Sequence, residues 1–127
     1  MPFTHIILRQ YRDTSPNVIS LSESVTGNDD HNIDKSMAVG TNTPLAYTLD
    51  RTVLQSLAFS SDLALTIKTN SSSSPTDTIV LVAGQVLVWS LASDGLARCP
   101  ITASITSLFI TNTGGGPATL KIRALVT

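Results

Sequence analysis

The chain has 127 residues, of which 42% are hydrophobic and only 13% charged, and a net charge of −1. That length suits one domain with one core, so residues 1–127 are read as a single unit. Its eight Lys and Arg are scattered and no apolar run is long enough to cross a bilayer, so neither a nucleic-acid nor a membrane partner is expected.

In chain order, residues 3–11 read as a strand with Ile6 and Leu8 on one face. Residues 17–26 read as another, with Ile19, Leu21 and Val25 inward. Residues 27–35 read as a polar turn region. Leu45, Tyr47 and Leu49 alternate in a strand ending at Asp50. Residues 52–55 suit one turn of helix before extended chain resumes at 56–60. Leu63, Leu65 and Ile67 mark an inward strand face. Asn70 to Asp77, with four consecutive serines and Pro75, is a loop.

Residues 78–82 and 86–90 are short strands, apolar on both faces, so they are expected at a sheet centre or against a partner. Residues 105–111 and 118–126 form a hairpin around Gly114-Gly115-Gly116-Pro117. No segment carries a sustained helical period. The expected fold is all-β: an antiparallel β-sandwich of jelly-roll type with eight or nine short strands.

The search for chemistry returns no catalytic, cofactor-binding or metal-binding residue, and the chain is not expected to be an enzyme. His5 has no carboxylate beside it in sequence. His31 lies in Gly27-Asn28-Asp29-Asp30-His31-Asn32-Ile33-Asp34, which lacks the acidic spacing of a calcium loop and the His and Cys of a zinc site. No Gly-x-Ser-x-Gly elbow occurs. Cys99 is the one cysteine, so no internal disulfide is possible, and it reads as a small buried or half-buried thiol. Trp89 sits in the most apolar stretch and reads as core or interface rather than a sugar platform.

The remaining candidates are surfaces for protein contact. Phe3, Ile6, Leu8 and Tyr11 on the first strand form one, and Val82 and Val88 around the second apolar pair form another. More apolar surface than one core can hide points to a homo-dimer or homo-trimer.

One pattern runs through Thr48-Leu49-Asp50-Arg51, Ser60-Ser61-Asp62, Leu65 to Ser71, Asp77-Thr78-Ile79, Ala83-Gly84 with Trp89, and Ser107 to Asn112. Over roughly residues 45–127 it resembles the capsid decoration, or cement, proteins of tailed bacteriophages. The resemblance implies a structural virion protein on the outer capsid surface, made in the host cytoplasm. It implies that the major capsid protein is the partner and that the domain stabilises the shell by binding across subunits. The competing expectation is a carbohydrate- or receptor-binding β-sandwich of a phage tail.

Overall fold

The computed structural model describes residues 2–12, 14 and 18–127. Ten strands carry the fold: β1 (Phe3–Arg12), β2 (Val18–Gly27), β3 (Asp29–Met37), β4 (Gly40–Leu45), β5 (Leu54–Ser61), β6 (Leu65–Thr69), β7 (Thr78–Leu81), β8 (Val86–Ser90), β9 (Leu108–Asn112) and β10 (Ala118–Val126). Strands β3-β10-β5-β8 form one four-stranded sheet and β4-β9-β6-β7 the other, all antiparallel. That interleaved order is the jelly roll: every pair of sequence neighbours from β3 to β10 except β6–β7 is split between the two sheets, so β9 and β10, expected to form a hairpin, do not pair with each other. β1 and β2 lie outside it as a separate two-stranded hairpin.

Period-two alternation explains the sandwich. From β10, Leu120, Ile122 and Ala124 point inward and are fully buried, as are Phe59 and Leu57 of β5 and Trp89 of β8. Ile67, Ile110, Leu108, Leu65 and Leu81 meet them from the opposite sheet. Trp89 is therefore core, and its indole Nε1 donates to the Gly95 carbonyl at 2.8 Å. Cys99 is buried in the same core.

Several boundaries differ from the sequence reading. The strand count is ten, because residues 29–37, within the region read as a turn, form β3. Asp and Asn disfavour strands, but β3 is a sheet edge: only Ile33 and Met37 need to reach the core, Asp30, Asn32, Asp34 and Ser36 alternate outward, and Asp29, His31 and Lys35 share the inner face at the open rim of the sheet. The strand expected across Leu45 to Leu49 lies earlier, at Gly40–Leu45. Leu49 makes only an isolated bridge to Ile105, and Tyr47 and Leu49 are buried by loop packing. The helical turn expected at 52–55 is a 3₁₀ turn at Arg51–Val53, capped by Asp50. A one-turn helix at Leu91–Asp94 (α1) was not foreseen; Ser90 caps it, its side chain accepting from Ser93 N.

Of the two placements expected for β7 and β8, a sheet centre or a face against a partner, the first is not found. Neither is central; each closes one edge of its sheet. Their second apolar faces are not buried by a neighbouring strand, and Val80, Val82 and Val86 stand exposed.

Candidate docking surface

The β1–β2 hairpin is an arm laid over the outer face of the first sheet. Its register runs without a slip from Phe3–Gly27 to Arg12–Val18. His5, Ile7 and Arg9, with Glu23, Val25 and Gly27, turn toward the sheet and are less exposed than their neighbours. Thr4, Ile6 and Leu8 turn outward opposite Thr26, Ser24 and Ser22.

Three polar contacts and one tight approach hold the arm. At its root, the Asn28 amide donates to the Val126 carbonyl at 2.8 Å. Gly27 is pressed so closely against β10 that an added Cβ would lie 2.6 Å from the Val126 oxygen and 2.8 Å from Leu125 Cγ. Along β1, His5 Nε2 donates to Asp30 Oδ1 at 2.7 Å, and Ser56 Oγ lies 3.3 Å from His5 Nδ1. Further out, the Arg9 guanidinium grips Asp94 with two parallel bonds, 2.6 and 2.5 Å, and Asp94 Oδ2 also accepts the Ser90 amide at 2.8 Å.

These anchors fix the direction of the arm. Asp30, Leu125, Ser56 and Ser90 form one row of cross-strand neighbours from β3 to β8. Three inter-strand spacings span about 14 Å, and the four residues from His5 to Arg9 span about 13 Å of extended chain. The arm therefore runs across the sheet strands, from the β3 edge to the β8 edge. Beyond Arg9 it extends past the anchored row, and Tyr11, Val18 and Ile19 are exposed. Ile19 and Leu21, expected inward, are thus both exposed, while Val25, over the sheet, is buried.

The electrostatics follow from the contacts. Hydrogen bonds from Arg9 hold the Asp94 carboxyl at about 2 despite the opposing effect of its burial. The same bond raises the Arg9 pKa, against desolvation. At Asp30, burial acts to raise the pKa, but hydrogen bonds from Asn32 and His5 outweigh it and hold the carboxyl below the ordinary range. His31 lies within β3, where Nδ1 is 3.0 Å from the Tyr47 hydroxyl and Nε2 is 3.3 Å from Asp29. Burial raises the Tyr47 pKa. Among the described residues no group of three or more His, Cys, Asp or Glu side chains converges as metal ligands.

Of the surface residues singled out in the sequence, Ile6, Leu8 and Tyr11 are 68%, 75% and 65% exposed, and Phe3 44%. All four lie on the arm, Ile6 and Leu8 on its outer face. Val82 is exposed at the β7–β8 turn. Val88 stands apart from it, half-buried in a groove of about 560 Å³ between β1 and the sheet, beside Ala58, Asn32 and Arg123. Of the two surfaces expected, the first is the arm, and the second divides: Val88 lies in the groove, while Val82 is exposed, as are Val80 and Val86. Sequence reading missed Ile19 and the polar anchors. Alternation in residues 17–26 identifies the strand but carries no sign of what lies beneath it.

No protein family and no curated protein matches the chain. Among solved structures, it is similar to a chain of the Bacillus endospore appendages, described as a novel family of disulfide-linked pili. The match covers 97% of this chain and 92% of that chain, at 14% identity and a TM-score of 0.39. At those values the likeness decides nothing about function. No helix among the described residues is long and apolar enough to cross a membrane.

Proposed function

We infer that the chain is a structural docking module, a decoration protein that stabilises a tailed-phage capsid by binding across major capsid protein subunits. The observation that carries this reading is the arm. It is a regular hairpin that contributes little to the core, yet the His5–Asp30 hydrogen bond and the Arg9–Asp94 ion pair hold it over the body and it presents Ile6, Leu8, Tyr11 and Ile19 to solvent. Exposed apolar side chains on a fixed scaffold lose little freedom on docking, which favours binding. A standard interface covers about 800 Å² per partner, and the exposed valines of the β7 and β8 edges offer a second contact beside the arm. Two modest contacts to adjacent subunits act together far more strongly than either alone. The low charge of the chain lets many copies crowd on a shell with little repulsion.

The test is to incubate the purified chain with expanded empty shells of a tailed-phage major capsid protein and image them by electron microscopy. Ordered extra density across subunit boundaries is expected, lost in the double variant Ile6→Asp, Leu8→Asp. Bare shells, with binding to a glycan array instead, overturn the reading.

A further inference from the structure

We propose that the free edge of β2 pairs with its own counterpart in a second copy, so that two arms join into one four-stranded antiparallel sheet about a two-fold axis.

Unpaired strand edges recruit other strands, and soluble proteins block them. The sandwich does so at all four of its edges. β3 carries Asp29, Asp30, Asp34 and Lys35. β4 contains Pro44 and an irregular register between Gly40 and Thr43. β7 is only four residues long. β8 has five, and Asp94 occupies the amide of the last, Ser90. On the arm these devices are sparse: β2 carries one charge, Glu23, turned toward the sheet, and β1 carries Arg9 and Arg12. Its strands are ten residues each, contain neither Pro nor Lys, and pair without a bulge. Apart from the bonds within the hairpin, no backbone group of β2 is hydrogen-bonded to other backbone among the described residues; the first such bond is at Asn28.

The two arm edges are not equivalent. The edge of β1 overlooks the molecule's own sheet across the groove. A two-fold partner there would bring both sandwiches into one space. The edge of β2 lies on the opposite side of the hairpin, where a partner's sandwich points away.

The β2 sequence also accepts itself. Its outward face is Val18, Ser20, Ser22, Ser24 and Thr26, with no charge, and its one charged residue is Glu23. In antiparallel pairing centred on Ser22, Ser20 meets the partner's Ser24 and Ile19 meets the partner's Val25. Glu23 meets the partner's Leu21, so no like charges are opposed. Edge β3, with three aspartates, would repel a copy of itself. The pairing is independent of what the module docks onto.

Sedimentation of the full chain reads the proposal directly: a concentration-dependent dimer is expected. Ser22→Cys places two thiols near the axis and is expected to form a disulfide dimer on mild oxidation, whereas Ser73→Cys, in the serine loop, is not. Ser22→Lys is expected to sediment as a monomer with an unchanged circular dichroism spectrum. A monomer at every concentration, a trimer, a dimer that survives Ser22→Lys, or equal cross-linking at positions 22 and 73 overturns it. A wild-type monomer that still decorates shells overturns this pairing alone, and a Ser22-linked dimer that leaves shells bare overturns the docking reading alone.

Discussion

At the scale of single residues, the arm depends on a few polar atoms. Arg9→Ala removes the guanidinium from Asp94 at a site that water still reaches, so the expected loss of stability is about 1 kcal/mol. Amide exchange should show it as faster exchange in β1 and β2 with the sandwich unchanged. The pH dependence has a definite sign. Asp94 titrates at about 2 in the folded chain, below the ordinary aspartate value of about 3.9, and Asp30 is shifted the same way. Their stabilising contribution is complete above pH 4 or so and is lost as the pH falls toward 2. Limited proteolysis with an acid-active protease should cut the arm before the sandwich in that window. A second sensitive residue is Asn112, which is buried: its Nδ2 donates to the Met37 and Gly116 carbonyls, and its Oδ1 accepts the Gly114 amide. Asn112→Leu leaves those groups unpaired and should cost roughly 1–3 kcal/mol in a denaturant melt. Sequence reading located Trp89 and Cys99 correctly because burial follows local apolarity. It missed the His5 pair because Asp30 lies 25 positions away and only the arm's path brings them together.

At the scale of elements, alternation made most strands legible. β8 and β10 fall at the predicted limits, and β1, β2 and β7 within a residue or so. The errors share a cause: alternation reports which residues share a face, not what that face meets. β7 and β8 are apolar on both sides, which suits a sheet centre or a face against a partner, and both are edges with exposed valines, so the first alternative fails. β3 is polar enough to pass for a turn, and its pairing with β10 supplies what local propensity does not. Gly27, read as part of a turn, is a point of close contact between the arm root and β10. Gly27→Ala forces a methyl group against the Val126 backbone and should cost roughly 1–3 kcal/mol, read as a lower Tm. The same change at Gly115, where an added Cβ meets nothing within 4 Å, should leave the Tm nearly unchanged.

At the scale of the whole molecule, the two sheets share a core in which Phe59, Ile67, Ile110 and Ile122 are fully enclosed. Phe59→Ala should cost about 3–5 kcal/mol in a denaturant titration, more than any change on the arm. The all-β sandwich was legible from strand number and turn spacing, but the strand order was not, since nothing local says that β3 neighbours β10. That order has a consequence for how the chain is made. The first sheet contains strands from residues 29 to 126, and β10 lies between β3 and β5. While a ribosome emits the chain in order, β3 and β5 wait without the strand that joins them, and more than fifty residues separate the end of β5 from the start of β10. Folding must close that long loop at a late step, so the rate belongs to the slow, millisecond-to-second class of non-local β topologies. The arm's two strands are close in sequence and can meet early, but a lone hairpin is marginal in water, so the arm gains its full stability only when β10 arrives to complete the sheet beneath it.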